Sequence, residues 1–417
     1  MKKVLLYGAI AMATMLVSCD GRNGVKEPKV LKLSAAEKEL VTNCNDFSFN
    51  LLAQVANTED QENVILSPLS ASVLLGMVMN GADGETLAQI RDVLGFADDA
   101  SIEEINAYYR QLMDALPALD KYSIVALANG IWVREDFPVR ETFVSACKDN
   151  FDAEAKNVKS FTDQKVLDEI NRFAAQHTNK RIKEIVTRDM VNEQTIMALL
   201  NAVYFKAQWE KSFKKSDTKR KTFTTLNGQE IQTDMMYQSE DIKYGEDEDY
   251  QIVELPYKGG KYCADIVLPA QGIDIRTWAK GLTAERWSQM VPTYSEEVEL
   301  TIPKFSLNYE RELKKDLQAL GMTDAFDAEW KANFTRMVEP NLGGLYVWLD
   351  MVKQKAFMQV DEEGTEAAAV TVGLMKCFAT AAGHQFIADR PYLFVIREKD
   401  YGTILFAAII GHPEWQK

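Results

Sequence analysis

The sequence predicts an α+β fold. Helical and strand-like periods are mixed along the chain without strict βαβ order and without internal repeats, which is the pattern of that class. The 417 residues are 47% hydrophobic and 26% charged, an ordinary soluble make-up with enough apolar area for one large core or two domains. Late in the chain a run, 361–380, whose front half is small and uncharged after Glu366, lies between two apolar strand-like runs, 355–360 and 391–397. Neither a stable amphipathic helix nor a solvated loop accounts for that run.

The elements are expected in this order. Residues 35–56 have helical spacing, marked by Leu40, Phe47, Leu51, Leu52 and Val55. Residues 63–70 read as a short buried strand turning into a helix. The helix over 70–80 is so apolar that it belongs at the centre. A further helix, 84–94, stops at Gly95. Residues 101–116 begin at Ser101 with Glu104 three residues on, a capping box. Residues 123–133 are strand-like, and 163–178 form an amphipathic helix. The apolar run 195–205 is long enough for a central strand. Strands then follow at 223–225, 251–256, 264–268, 297–303 and 345–357, with a helix at 309–320 that ends at Gly321.

Residues 1–19 stand apart from the fold. Lys2 and Lys3 precede an apolar run, 4–17, too short for a comfortable membrane span. Leu16-Val17-Ser18-Cys19 reads as a bacterial lipobox, in which Cys19 is lipidated and becomes the new N-terminus. The alternative is a plain secretory signal cleaved near Ser18. Residues 20–39 are expected to be a flexible tether and 40–417 the folded body. No other stretch is long and apolar enough to cross a membrane. The expected location is therefore the cell envelope, the cell surface or the extracellular space, with membrane contact only through a lipid anchor. Cys44, Cys147, Cys263 and Cys377 form no CxxC pair, so neither a zinc cluster nor a thioredoxin-type site is indicated. The first three sit among apolar residues as buried thiols. Cys377 is open to oxidation if its segment is exposed.

Taken as a strand, the small run sorts by size. Thr365, Ala367, Ala369, Thr371, Gly373 and Met375 share one face, and all but Met375 are small. Glu366, Ala368, Val370, Val372 and Leu374 share the other. A small face can slide between two existing strands without overpacking them. Period alone leaves an Ala-rich linker or a short helix equally open.

Glu362-Glu363-Gly364-Thr365-Glu366-Ala367-Ala368-Ala369, followed by Asp389-Arg390-Pro391-Tyr392-Leu393-Phe394, closely resembles the hinge and C-terminal signature of the serpins. Ser67-Pro68-Leu69-Ser70, the stretch from Asn201 through Phe205-Lys206 to Trp209, and Ile302-Pro303-Lys304-Phe305 resemble further motifs of that family, in order and spacing. The likeness runs from about Leu40 to Pro413. It implies the serpin fold: three β-sheets, eight or nine helices and an exposed reactive-centre loop. It also implies a suicide-substrate inhibitor of serine proteases, with cysteine proteases as a second class. The target cuts the loop, forms an acyl-enzyme, and is trapped as the loop inserts into the main sheet. The alternative within the family is a non-inhibitory binding or carrier protein.

The resemblance assigns roles by position. Glu362, Glu363 and Gly364 match the hinge, and Thr365 to Ala369 match the first residues to enter the sheet. Bulky, charged or proline residues mark non-inhibitory members there; this chain has none on the face that would enter, and its one charge, Glu366, would point to solvent. The scissile bond falls at Phe378-Ala379, which suits a chymotrypsin-like pocket. Lys376-Cys377 would suit a trypsin-like enzyme, and Cys377-Phe378 or Met375-Lys376 an elastase-like or less selective one. Ser67, Ser70, Asn201 and Trp209 match the region where the sheet opens. The family's histidine beneath that sheet, which bonds the residues matching Asn201 and Ser67, is replaced here by Gln354. His177, His384 and His412 lie elsewhere, His384 in the solvated distal part of the loop.

Other classes are disfavoured. The formal charge of −15 argues against nucleic acid, or heparin held by bulk charge. Glu103, Glu104 and Asp114 against Arg110 make the 101–116 helix a poor polysaccharide site. No HExxH, GxSxG or glycine-rich phosphate loop marks an enzyme, and no cofactor or metal is implied. The expected partners are target proteases, and the expected state is a monomer.

Overall fold

The computed structural model describes residues 28–97, 100–339, 346–365 and 383–416. Helix α1 (Ala35–Thr58) opens on Ser34, whose hydroxyl accepts from the Glu37 N–H while the Glu37 carboxylate accepts from the Ser34 N–H. After β1 (Val64–Leu66), Ser67 caps α2 (Pro68–Gly81), with Pro68 where its missing N–H costs nothing. Almost every residue of α2 is buried. Helix α3 (Gly84–Leu94) ends at Gly95, φ +73, the left-handed stop that glycine allows. Helix α4 (Ile102–Ala115) carries the expected Ser101/Glu104 box. Then come β2 (Ser123–Arg134), α5 (Glu141–Phe151), β3 (Glu154–Val158), α6 (Gln164–His177), β4 (Met197–Gln208), β5 (Lys219–Thr224), β6 (Glu230–Glu246), β7 (Tyr250–Pro256) and β8 (Tyr262–Pro269). The short helices α7 (Ile275–Ala279) and α8 (Ala284–Met290) lead to β9 (Ser295–Pro303), β10 (Phe305–Glu312), α9 (Lys314–Ala319), β11 (Lys353–Asp361) and β12 (Gly364–Thr365). The chain closes with β13 (His384–Ile387), β14 (Tyr392–Glu398) and β15 (Ile404–Ile410).

Among the described residues the strands form two hydrogen-bonded sheets. One runs β10-β11-β12-β4-β2-β3, and the other β1-β15-β14-β8-β7-β6-β9-β13, with β5 also on β6. The three sheets implied by the resemblance fit this arrangement, with two of them joined through β6. Its first part pairs β5, its middle β9 and its last four residues β7, so one strand of 17 residues joins two sheet portions. Helix α2 lies between β4 and β15, one strand of each sheet, and is the centre of the main core. A second core forms where α6 covers the sheet on its other side, with Phe173 edge-on to Trp132 at 5.2 Å.

Four expectations shift. Residues 309–312 are strand rather than helix, because Tyr309 to Glu312 pair with Ala356 to Lys353 of β11, and the helix keeps only Lys314–Ala319. The strand expected over 345–357 begins at Lys353 and runs on to Asp361. The strand expected at 223–225 starts earlier, at Lys219. The folded body begins before residue 40: Leu31 and Leu33 are buried, and the Lys29 N–H donates to the Ala118 carbonyl at 2.8 Å. Cys19 lies outside the described residues. Among those described, no helix is long and apolar enough to cross a membrane.

Candidate functional site

The residues expected to form the hinge are seated, and a shell of neighbours holds them. Gly364 pairs Asp361 on one side and Gln208 on the other; Thr365 pairs Val360 and Ala207. Two residues thus already occupy a strand position between β11 and β4. Among the described residues no ladder joins β11 to β4 directly. Glycine is required at 364. A Cβ there would lie 2.1 Å from the Ala207 carbonyl oxygen and 2.7 Å from the Gln208 Cα, at φ +156. Thr365 is buried, and its hydroxyl meets the Tyr257 hydroxyl at 2.5 Å.

The turn before Gly364 is tied by its own carboxylate. Asp361 accepts from the Glu363 N–H at 2.9 Å and the Gly364 N–H at 3.3 Å, and from the Gln359 amide at 3.2 Å. Burial pushes its pKa up despite those donors. Trp209 donates twice: its N–H to the Glu363 carbonyl at 2.9 Å and its indole N–H to the Asp361 carbonyl at 3.0 Å. Its ring stacks on Tyr257, centroids 4.6 Å apart. The Phe213 N–H holds the Glu362 carbonyl at 2.8 Å. The Glu362 carboxylate accepts from Thr218 at 2.9 Å and faces Lys304 at 3.4 Å. Burial alone would raise its pKa, but its own N–H, Thr218 and Lys304 outweigh burial and hold it below the ordinary glutamate value. Glu363 pairs Lys215 at 2.8 Å.

Lower in the sheet a buried polar network meets the first turn of α2. The Gln354 amide bonds the backbone of Ser67 at both ends, donating to its carbonyl at 2.8 Å and accepting from its N–H at 3.1 Å. The Ser67 hydroxyl donates to the Leu405 carbonyl at 2.8 Å. The Ser70 hydroxyl donates to Asn201, which donates to Asn129 at 2.6 Å; Asn129 donates in turn to the Phe151 carbonyl at 2.6 Å. These residues form two hydrogen-bonded pairs that meet at the cap of α2, where the Ser70 N–H donates to the Ser67 hydroxyl at 3.3 Å. Gln354 serves Ser67, and Asn201 serves Ser70 and Asn129. Gln354 and Asn201 share α2 as a footing.

Glu362, Glu363, Gly364, Thr365, Ser67, Ser70, Asn201, Trp209 and Gln354 are thus all placed by the structure. Glu366, Ala367, Ala368, Ala369, Lys376, Cys377, Phe378 and Ala379 lie outside the described residues. His384, expected to be solvated, is exposed at the start of β13, with its ring on Tyr244 at 4.4 Å. Sequence reasoning gave no role to Tyr257, Phe213, Thr218, Lys215 or Lys304, which build the hinge shell. Lys215 and Thr218 sit in a basic, polar stretch, and nothing in its pattern ties either of them to the hinge. Elsewhere Glu254, Cys263 and Asp265 cluster with the donor types of a metal site. The Arg397 guanidinium fills it instead, bonded to Asp265 at 2.5 Å and Glu254 at 2.6 Å, and it supplies the balancing cation.

Comparison with known proteins gives a consistent result. The family model described as Serpin (serine protease inhibitor) matches residues 42–413. Human neuroserpin is 32% identical over 381 residues, covering 88% of this chain and 90% of its own. The structure of Tengpin, a thermophilic serpin in the native state, aligns with a TM-score of 0.82 at 30% identity, over 93% of this chain and 97% of its own. A complex of thyroxine-binding globulin with thyroxine aligns at a TM-score of 0.78 and 25% identity, over 90% of this chain and 100% of its own.

Proposed function

The chain belongs to the serpin family, and from that premise we propose that it inhibits serine proteases as a suicide substrate. The protease serine attacks the Phe378 carbonyl, the bond to Ala379 breaks, and the new amine leaves on Ala379. An ester then joins the enzyme to the chain that ends at Phe378. Insertion of residues 366–377 into the sheet distorts that enzyme before water cleaves the ester. The observation that carries this reading is the seat of Gly364 and Thr365 between β11 and β4. A strand continuing in that register would set Ala367 beside Met358 and Phe205, and Thr371 beside Gln354 and Asn201. Its small face would meet the buried side chains of β11, which alternate along the strand. Each new ladder hydrogen bond is worth about 1 kcal/mol net, and cutting the loop releases the restraint that keeps those bonds unmade.

The test uses the full chain with chymotrypsin-, elastase- and trypsin-like proteases on a denaturing gel. A detergent-stable covalent complex is expected, most of all with the chymotrypsin-like enzyme. The nicked chain should melt well above the intact one, because a completed sheet has no equivalent before cleavage. Cleavage by every protease with full retention of protease activity would refute inhibition and favour a binding or carrier protein. We further propose that the protein acts outside the cytoplasm as a monomer tethered through a lipid on Cys19. Mass spectrometry of the mature N-terminus, with a free Cys19 or a start beyond it, would overturn the tether.

A further inference from the structure

Between residues 211 and 221 a chain of net charge −15 carries Lys211, Lys214, Lys215, Lys219, Arg220 and Lys221 against Asp217 alone. All six cations are exposed. Lys211 pairs Glu240 and Lys215 pairs Glu363, while among the described residues Lys214, Lys219 and Lys221 have no ion pair. We propose that this basic segment is a docking surface for the target protease, and that the protease presents an acidic rim beside its active site. The proposal rests on the inhibitor reading above and deepens it by naming the partner's surface chemistry.

Position carries the argument. The segment is bolted to the proximal foot of the loop: Phe213 and Thr218 bond Glu362, and Lys215 bonds Glu363. The distal foot returns through β13, where His384 pairs Val298 of β9, which pairs Glu240 of β6, the residue that Lys211 bonds at 2.8 Å. Neighbouring strands lie about 4.8 Å apart, so Lys211 and Lys215 place the start of the basic segment in the region between the two feet. A protease engaged on residues between the feet must cover it. The charge is also uneven across that region. Lysines flank the proximal foot, while Glu296 and Glu299 are exposed on β9 beside the distal one. Lysine on an edge strand such as β5 also deters strand pairing. That role does not reach Lys211, Lys214 and Lys215, which precede the strand. Opposite charge facing such a patch raises the rate of encounter, by about ten-fold or more, and salt removes the gain.

The experiment compares the full chain with its K214E/K219E/K221E variant, which leaves the pairs of Lys211 and Lys215 intact. Second-order rates of covalent complex formation are measured at low and high salt against two chymotrypsin-like proteases of equal cleavage preference, one acidic and one basic around the active site. Expected are a roughly ten-fold slower reaction with the acidic enzyme, loss of its salt dependence, and an equal or faster reaction with the basic one. The number of inhibitor molecules consumed per protease trapped should not change, because insertion does not involve these lysines. Equal rates for both chains with both proteases would overturn the patch while leaving inhibition intact. So would a patch that retains the chain on a sulfated polysaccharide yet leaves both rates unchanged. No covalent complex with any protease would overturn both.

Discussion

Replacing Thr365 by arginine tests insertion most directly. Thr365 is 3% exposed, flanked by Val360 and Ala207, themselves 0% and 1% exposed, and its hydroxyl meets Tyr257. Arginine at this strand position must either bury a guanidinium or keep the segment out of the sheet. Of the carboxylates in the turn, Glu362 and Glu363 already face Lys304 and Lys215, and Asp361 is committed to the Glu363 and Gly364 N–H groups. An unpaired buried charge costs several kcal/mol even after relaxation. If about 3 kcal/mol of that enters the barrier to insertion, insertion slows by about a hundred-fold, since each 1.36 kcal/mol is a factor of ten. Deacylation of the protease is untouched by the change, so it wins the competition. A denaturing gel should show cleaved inhibitor and active enzyme in place of the covalent band. Thr365→Val, which only leaves the Tyr257 hydroxyl unpaired, should retain most of the complex. A wild-type yield of complex from Thr365→Arg would refute insertion through this position.

Three further outcomes are expected. Gly364→Ala should lower the yield of covalent complex, because its Cβ would sit 2.1 Å from the Ala207 oxygen; Gly228→Ala, with φ +77 but nothing within 4 Å, is the control that separates overlap from backbone strain. Gln354→Ala should destabilise the intact protein by about 2–4 kcal/mol, because two buried backbone groups of Ser67 lose their partners; an unchanged melting temperature would count against the network. The third concerns pH. Glu362 has a folded pKa held below its unfolded value, so it stabilises the fold above the ordinary glutamate pKa of about 4.3 and loses that contribution as pH falls through the lower folded value. Glu362→Gln should therefore melt lower than wild type near neutral pH, with the gap closing in acid. Asp361, raised by burial, acts in the opposite sense, and Asp361→Asn should fare relatively better as pH rises. A gap for Glu362→Gln that stays constant from neutral to acid pH would rule out the linkage.

Local signals read well where side chains satisfy backbone groups close in sequence. The Ser34/Glu37 and Ser101/Glu104 boxes and the Gly95 stop lie within one turn of what they cap; the Ser101/Glu104 box and the Gly95 stop could be read directly from sequence. Strand β6 was illegible because its half-buried residues mix with polar ones and Gly245 along much of its length. The stretch 309–312 misled for a related reason: Tyr309, Leu313 and Leu317 fall four apart, a helical spacing, yet the first belongs to a strand, the second only caps the helix that follows, and the third alone lies in it. At the site, the hinge could be read from its run of small residues and from family likeness. The Gln354–Ser67 pair, 287 residues apart, had no period to betray it and came only through the likeness. Tyr257, Phe213 and Thr218 had neither kind of signal, because they act by packing and by single hydrogen bonds to residues more than a hundred positions away.

The substitution of glutamine at 354 makes physical sense once the footing of the two strands is considered. The amide presents a donor and an acceptor in one plane, and it uses both on Ser67, at the cap of α2. Asn201, on the facing strand, holds Ser70 one turn further along the same helix. Both walls of the lane that starts at Thr365 are therefore pinned to the first turn of one buried helix, by separate bonds rather than to each other. Such walls can part while each stays hydrogen-bonded, so opening need not expose an unpaired polar group. On the proposed reading, a strand extended in register from Thr365 would bring the Thr371 hydroxyl level with both amides as a bridge between them. A bulky apolar residue at 371 would face two buried amides with nothing to offer either.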